Sequence, residues 1–305
     1  MKNITVFGSI NMDIVAIVDR YPEKGETVYG KKLSFIPGGK GANQARCIAR
    51  LGAKVRLIGK VGKDEFGKTL LGSLEKEGIK TKISVSGNST SGIAIIGVDS
   101  KAENRIIITP GANFDFSAKD FANINFAKGE FVLSNFEVPK AAVHACFLKA
   151  KAAGATTLLN YSPLEILDKD IASLTDFMII NEHELAVLSG ISETSNTSLI
   201  KAAENIVNKN AVLIVTFGAQ GSIAVKNGKV TRIGAFKVKT VDTTGAGDSF
   251  MGAFAVALAE GKGLRQSLIF ANSASALKVT KLGASSMPYR EKVNKFLKEN
   301  GKTHK

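Results

Sequence analysis

The chain has 305 residues, of which 44% are hydrophobic and 22% charged, a balance typical of a packed globular core and not of a disordered protein. No apolar segment reaches the ~18 residues that a membrane-spanning helix needs. The net charge is +14, but the basic residues are scattered and tryptophan is absent, which argues against a nucleic-acid-binding surface.

The first residues and the two cysteines bear on the cellular compartment. Residues 1–15 contain a short apolar segment that predicts a β-strand, without the long apolar core and cleavage site of a signal peptide. Cys47 and Cys146 both lie in segments with a helical pattern, which is typical of a reduced chain. We therefore expect a cytoplasmic protein that does not associate with membranes.

Strand-like and helix-like segments alternate along the chain. A glycine-rich segment at 37–52 opens a predicted helix, and Asp64 can cap the next one. The predicted strands are 3–8, 54–62, 131–137, 156–160, 177–181 and 212–218, and the last three are continuously apolar, as in strands covered by helices on both faces. The alternation predicts an α/β fold with a central, largely parallel, doubly wound sheet, whose ligands bind beyond the carboxyl ends of its strands.

Two stretches, residues 11–37 and 85–110, interrupt this alternation because they show strand and turn patterns without helices. We interpret them as a small β-sheet lid over the site, within a single domain spanning 1–305. A fixed extension of the main sheet is the alternative. Open strand edges are commonly covered, so we expect two lids to pair in a homodimer.

Polar residues and glycines follow the first strand and open the first helix. Asn11 and Asp13 come directly after the strand, and Gly39, Lys40 and Asn43 lie at the helix start. A carboxylate and two amides can pair with several vicinal hydroxyls, since hydroxyls both donate and accept hydrogen bonds. An Asx turn followed by a glycine-rich helix start would also explain either segment taken alone.

Residues 62–69 fit the phosphate-binding pattern G-x-x-x-x-G-K-[ST] between a strand and a helix. Asp64 and Glu65 would place negative charge against a phosphate, and Phe66 is bulky where the backbone must wrap closely. We therefore reject a P-loop here and interpret Asp64 as a helix cap.

Two segments in the second half of the chain end buried strands with polar or glycine residues. Asn181 and Glu184 are three positions apart, so they share a face of a helical turn, and their oxygens suit Mg²⁺ bound through water. A cap followed by a surface helix is the alternative. The glycine turn in 215–222 could lie against a nucleotide, although such turns are common elsewhere.

The segment VDTTGAGDSFMGAF at 241–254 places Gly245, Ala246 and Gly247 directly before Asp248 at a helix start. Small residues let backbone amides approach a phosphate, and the helix N-terminus adds N–H groups and the positive end of its dipole. Asp248 could take a hydroxyl proton while the amides hold a transferring phosphoryl group. Taken alone, the segment could equally be a turn with an N-cap.

GSINMD, GGKGANQA, NEHE and DTTGAGD occur together and in order, and with them the chain resembles the ribokinase family of carbohydrate kinases over nearly its whole length. The resemblance implies an ATP-dependent sugar kinase, with D-ribose converted to ribose 5-phosphate as the expected reaction. A family member acting on deoxyribose, a ketohexose, a phosphosugar or a nucleoside is the alternative, and a non-catalytic sugar-binding protein is another. Arg46 could suit a phosphosugar, but its helical position suggests that it only reaches solvent.

The resemblance also implies roles for individual residues, with Asp248 as the catalytic base and Gly245, Ala246 and Gly247 as the anion hole. The implied sugar contacts are Asn11, Asp13, Gly39, Lys40, Asn43, Glu137 and Asp248. The implied nucleotide contacts are Asn181, Thr216, Gly218, Gly221, Gly247 and Asn272. Mg²⁺ would lie near Glu184, and an activating K⁺ would be held, partly through backbone carbonyls, by Asp242, Thr244, Lys278, Lys281, Gly283 and Ser286.

Two features depart from the family pattern. Tyr161 stands where a smaller residue is common, and it could change the nucleotide side of the site. The loop near Ser286 is one residue shorter than expected, which leaves the last potassium ligand open.

Overall fold

The computed structural model describes residues 1–100, 104–164, 166–191 and 194–301. Its strands are β1 (Ile4–Phe7), β2 (Asn11–Val18), β3 (Gly30–Gly38), β4 (Val55–Gly62), β5 (Lys80–Ser86), β6 (Gly92–Val98), β7 (Asn104–Thr109), β8 (Phe131–Asn135), β9 (Thr156–Asn160), β10 (Phe177–Asn181), β11 (Val212–Thr216), β12 (Ser222–Lys226) and β13 (Lys229–Ile233). Its α-helices are α1 (Lys40–Arg50), α2 (Glu65–Lys76), α3 (Lys140–Ala152), α4 (Lys169–Ser173), α5 (Glu182–Ser189), α6 (Asn196–Ile206), α7 (Ala246–Ala259), α8 (Leu264–Lys278) and α9 (Arg290–Asn300). Over the described ranges, none of these helices is long and apolar enough to cross a bilayer.

The larger sheet has nine strands in the order β13-β12-β11-β10-β9-β8-β1-β4-β5. Pairing is parallel from β11 through β10, β9, β8, β1 and β4 to β5, and β12 and β13 add an antiparallel edge. The predicted central, largely parallel sheet is therefore confirmed.

Helices cover both faces of this sheet because successive strand residues point to opposite sides. Ile4 and Val6 of β1 enter a core formed with α1, α2, α7, α8 and α9, whereas Phe7 enters a second core formed with α3 to α6. Each fully buried aliphatic or aromatic side chain of this kind contributes about 1.5–3 kcal/mol to folding. The two cores fix the sheet between its helices, so its strand ends form a rigid edge.

The second sheet has four strands in the order β3-β2-β6-β7. β2 pairs antiparallel with β3 and parallel with β6, and β6 pairs antiparallel with β7. A separate small sheet was predicted from 11–37 and 85–110 and is confirmed, although residues 85–86 belong to β5 of the larger sheet. The turn predicted between β6 and β7 includes residues 101–103, which lie outside the described residues.

Asp64 is the N-cap of α2, as predicted when the P-loop was rejected. Its Oδ1 accepts a hydrogen bond from Gly67 N at 2.7 Å. Its Oδ2 accepts one from Ser91 N at 2.7 Å, which ties the helix start to the segment entering β6. The carboxylate that would repel a phosphate therefore satisfies backbone N–H groups of the fold itself.

Candidate active site

The carboxyl ends of the parallel strands meet at one edge of the larger sheet, where such folds bind ligands. Asn11 and Asp13 follow β1, and Glu137 follows β8. Asn181 ends β10 and Thr216 ends β11, and the two are partners in the parallel register. The structure therefore brings the residues predicted for sugar and for nucleotide to the same edge.

Asp248 lies in the first turn of α7 and is 5% exposed. Gln44 Nε2 donates to its Oδ1 at 3.1 Å, and Asn43 Nδ2 donates to its Oδ2 at 3.4 Å. Burial raises the pKa of Asp248, and the charge of Lys40 and the Gln44 hydrogen bond oppose that shift. Two amides from α1 thus fix the orientation of a buried carboxylate at a helix N-terminus.

Asp248 is not the N-cap of α7, which was the alternative to a catalytic role. The cap position is Gly245, at φ 78°, and the helix begins at Ala246. Ala246 N donates to Thr243 O at 3.1 Å, so one N–H of the predicted anion hole is used within its own turn. The side chain of Asp248 is therefore not needed to cap the helix, and it points toward α1.

The Gly245 backbone packs against the segment that follows α8. A Cβ at this position would lie 2.7 Å from Ala284 O. Asp242 Oδ1 accepts from Thr244 N at 2.9 Å, and its Oδ2 accepts from Gly283 N at 2.7 Å. The loop before the predicted anion hole is thus held to the later loop through one carboxylate.

The residues predicted to bind potassium come together in these two loops. Ser286 Oγ donates to Gly283 O at 2.7 Å. Lys278 Nζ lies 3.3 Å from Asp242 O and 3.4 Å from Lys281 O. The side chain of Lys278 therefore reaches the oxygens of the predicted potassium site.

The side predicted to bind sugar is built from the β1–β2 connection and the start of α1. Gly39 caps α1 at φ 90°, and a Cβ there would lie 2.7 Å from Asn11 N. Glu137 accepts hydrogen bonds from Ser9 Oγ and, at 3.1 Å, from Lys40 N. Bare backbone at Gly39 thus allows the helix start to pack directly on the segment that carries the predicted sugar contacts.

Charged groups crowd this side of the site. Burial, then Glu137 and Asp248, raise the pKa of Asp13 to about 7, and Arg46 acts in the opposite direction. Burial opposes the charge of Lys40, but Asp248, Glu137 and Glu184 raise its pKa. The site therefore holds Lys40 as a cation among several carboxylates.

The raised pKa of Asp13 predicts a pH-dependent stability. Between its ordinary value of 3.8 and about 7, the folded chain retains a proton that the unfolded chain has lost, so the contribution to stability falls as pH rises through this window. The loss is on the order of 1 kcal/mol per pH unit. In thermal unfolding without ligands, we expect Asp13→Asn to gain stability relative to the wild type as the pH rises from about 4 to about 7. A difference between the two proteins that does not change with pH would contradict this assignment.

On the nucleotide side, Asn181 and Glu184 form a capping box at the start of α5. Asn181 Oδ1 accepts from Glu184 N at 2.8 Å, and Glu184 Oε2 accepts from Asn181 N at 2.7 Å. Burial raises the pKa of Glu184, which is not on the surface helix face that the alternative assumed. Within the described residues no cluster of three acidic, histidine or cysteine side chains could hold a metal, so Mg²⁺ near Glu184 would need water and phosphate ligands.

Two other residues predicted to bind nucleotide, Gly221 and Asn272, meet at the end of β13. Gly218 and Gly221 both have positive φ, and a Cβ at Gly221 would overlap Ile233 O. Asn272 Nδ2 donates to Ile233 O and to Gly234 O, each at 3.3 Å. Thr216 Oγ1 donates to Ile180 O at 3.3 Å. These groups shape the strand ends, and their contact with a nucleotide stays a prediction.

Two residues of the site were not found from the sequence. Gln44 follows Asn43 within GGKGANQA, so its position was a usable signal, and its Oε1 is buried without a hydrogen-bond partner among the described residues. Asn113 Nδ2 donates to Asn11 Oδ1 at 2.7 Å across 102 positions of the chain. It also accepts from Ile10 N at 2.9 Å, so it fixes the β1–β2 connection.

The expectation for Arg46 was wrong, and the effect of Tyr161 on the nucleotide side stays a prediction. Arg46 is 2% exposed and does not reach solvent, because it donates to Asn43 Oδ1 at 3.3 Å and lies 3.5 Å from Glu77 Oε1. Tyr161 is fully buried in the core against Phe136, with ring centroids 4.7 Å apart. Arg46 therefore positions a sugar-side amide, and Tyr161 serves the core behind the site.

The chain is similar in sequence to known carbohydrate kinases. The family model described as pfkB family carbohydrate kinase matches residues 1–291. A ribokinase from Haemophilus influenzae is 38% identical over 301 residues, which cover 97% of this chain and 98% of the relative.

Solved structures agree in fold with the described chain. The ribokinase of Thermotoga maritima has a TM-score of 0.88 at 36% identity, covering 98% of this chain and all of that one (100%). The ribokinase of Arabidopsis thaliana, solved with ribose and ATP, has a TM-score of 0.87 at 31% identity, covering 97% and 99%. The predicted ribokinase-like architecture is confirmed, and the chain belongs to the pfkB family of carbohydrate kinases.

Proposed function

We propose that this chain is an ATP-dependent kinase that phosphorylates D-ribose to ribose 5-phosphate. The observation that carries the proposal is Asp248, a buried carboxylate held by Asn43 and Gln44 at the N-terminus of α7. The ribokinase relatives and the structure with ribose and ATP support the choice of substrates. Asn11 and Asp13 supply groups suited to the ring hydroxyls.

The proposed reaction is a direct transfer. The sugar hydroxyl oxygen attacks the γ-phosphorus, its proton passes to Asp248, and the bond to the bridging oxygen of ADP breaks. Backbone N–H groups in residues 245–247 and the helix dipole stabilise the charge that develops on the phosphoryl oxygens. The ammonium of Lys40 offsets the charge of the surrounding carboxylates.

We also propose Mg²⁺ near Glu184, where it would neutralise phosphate charge when bound with ATP. The carboxylate of Glu184 supports this role because it is buried at the strand-end edge, where one of its oxygens accepts from Asn181 N. Potassium is not proposed as an activator, because Lys278 Nζ already lies against carbonyl oxygens predicted to bind it.

A panel of sugars tests the substrate. We expect the highest kcat/KM, measured by ADP formation, for ribose. Deoxyribose should be poorer, since a site that hydrogen-bonds a hydroxyl leaves buried polar groups unpaired when that hydroxyl is missing. A higher kcat/KM for fructose 6-phosphate or for a nucleoside would overturn the choice of ribose. Sugar binding without ADP formation would favour a non-catalytic sugar-binding protein.

We further propose that 1–305 form one kinase domain and that the small sheet pairs with its copy in a homodimer. Leu33 and Phe35 of β3 are 57% and 55% exposed, and Ile107 of β7 is 66% exposed. These side chains lie on both edge strands of the small sheet, and a partner sheet would remove them from water. Sedimentation velocity at micromolar concentration should show a dimer, and a fully active monomer would contradict the proposal.

The proposed co-substrate and the cysteines support a cytoplasmic location. ATP is available inside the cell, and Cys47 and Cys146 are buried and unpaired, as in a reducing compartment. Burial raises the pKa of the Cys47 thiol to about 12, so it is not a reactive nucleophile. Fractionation of cells should recover the activity with the soluble contents.

A further inference from the structure

Lys278, the last residue of α8, is a fully buried lysine beside the anion-hole loop. It is 0% exposed. Its Nζ lies 3.3 Å from Asp242 O and 3.4 Å from Lys281 O. Both residues belong to the set that the resemblance assigns to a potassium ion. An ammonium group and a monovalent metal ion bind the same kind of oxygen ligands, since each is a cation that interacts with oxygen lone pairs.

The remaining groups of this set are already engaged with one another. The two oxygens of the Asp242 carboxylate accept from Thr244 N and Gly283 N. Gly283 O accepts from Ser286 Oγ at 2.7 Å. A potassium ion among these oxygens would have to share them with the Lys278 ammonium at close range, and two like charges repel strongly in a buried site.

We propose that the Lys278 ammonium replaces the monovalent cation in this chain, so that phosphoryl transfer does not depend on potassium. This inference rests on the proposed kinase function and stands in place of the expected K⁺ activation. The cation is then a part of the polypeptide, present at every salt composition.

The position of Lys278 links it to the predicted anion hole. Val241 N and Asp242 N donate to Val279 O at 2.7 and 3.1 Å, so the end of α8 is paired with the chain just before residues 245–247. The Lys278 ammonium adds a second tie, through Asp242 O, between the same two segments. Burial lowers the pKa of Lys278, and the charges of Asp242 and Asp248 oppose that shift. Removing the ammonium would therefore loosen the loop and leave carbonyl oxygens without a cation.

The wild-type protein gives the first test. ADP formation with ribose is measured at fixed ionic strength in KCl, NaCl or tetramethylammonium chloride after exhaustive dialysis. Simple screening depends on ionic strength and not on the identity of the ion. We expect equal kcat in the three salts, within about twofold. A potassium-specific rise in the wild type would overturn the proposal, whatever the variants do.

Lys278→Ala gives the second test, because it opens the space in which a metal ion can bind. In tetramethylammonium chloride we expect kcat to fall by about tenfold or more, with recovery in KCl. Lys278→Met fills the space with hydrocarbon and should lose activity in all three salts. Lys298→Ala removes an exposed lysine from α9 and should behave as the wild type. Loss of activity in Lys278→Ala without any rescue by KCl would show a merely structural lysine.

Thermal unfolding without substrates separates this inference from the proposed function. An ion that binds only the folded state raises the Tm of the protein. We expect KCl to raise the Tm of Lys278→Ala above its value in tetramethylammonium chloride, and to leave that of the wild type unchanged. This result would stand even if no sugar were phosphorylated in any salt. Equal potassium-specific shifts in both proteins would overturn the replacement of the ion by Lys278.

Discussion

Asp248→Asn is expected to lower kcat by ~10²–10⁴ while leaving the affinities for sugar and ATP nearly unchanged. The amide keeps the shape of the carboxylate but cannot take the hydroxyl proton. Its remaining oxygen can still accept from Asn43 Nδ2, and the Gln44 amide, whose Oε1 has no partner among the described residues, can turn to accept from the new amide group. The loss should therefore fall on the chemical step and not on folding.

The measurement pairs steady-state kinetics with calorimetric binding of ribose and of a non-hydrolysable ATP analogue. Asp170→Asn, at an exposed position on α4, is the matched control and should retain full activity. Near-wild-type kcat in Asp248→Asn would remove Asp248 from the role of base. Loss of binding together with loss of turnover would instead indicate a structural carboxylate.

Gly245→Ala is expected to reduce kcat by ~10²–10³, because the anion-hole loop must move to admit a Cβ. Gly245 has φ 78°, where an L-residue costs roughly 1–2 kcal/mol, and its Cβ would lie 2.7 Å from Ala284 O. The obstacle is backbone, which cannot turn aside as a side chain can. The displaced N–H groups would no longer match the phosphoryl oxygens in the transition state.

Gly261→Ala is the control that separates backbone strain from displacement of the predicted anion-hole N–H groups. Gly261 follows the other end of the same helix at φ 84°, and within the described structure nothing lies within 4 Å of a Cβ built there. Both variants should show a similar decrease in Tm from backbone strain, but only Gly245→Ala should show a lower kcat. An equal loss of kcat in the two variants would show that general destabilisation of α7, and not the anion hole, explains the effect.

The sequence predicted the fold well because the pattern behind it is local. Continuously apolar strands and capped helices can be recognised from a few neighbouring residues. The charge of Asp64 was likewise enough to reject the phosphate-binding motif at 62–69. Contacts between distant segments were harder. Asn113 reaches Asn11 across 102 positions, and no pattern within either segment indicates that contact.

Side-chain direction was the other limit. Arg46 was expected to face solvent from its place on α1, but Glu77 at the end of α2 provides a partner that draws it inward. The direction of the Lys278 side chain was not predicted, because the end of a helix does not reveal whether a long side chain turns toward solvent or back to neighbouring carbonyls. Burial depends on which elements pack around a residue, and that becomes visible only in three dimensions.

The placement of Asn11 and Asp13 on β2 has a consequence for how tightly a sugar binds. β2 belongs to the small sheet, whereas Asp248 belongs to α7 in the larger body. A sugar held by Asn11, Asp13 and Asp248 would therefore contact both parts, and its affinity would depend on how the small sheet is placed against α7. Phe35 of β3 packs near Phe66 of α2, with ring centroids 6.0 Å apart. A substitution at that junction would change KM for the sugar without altering any sugar contact.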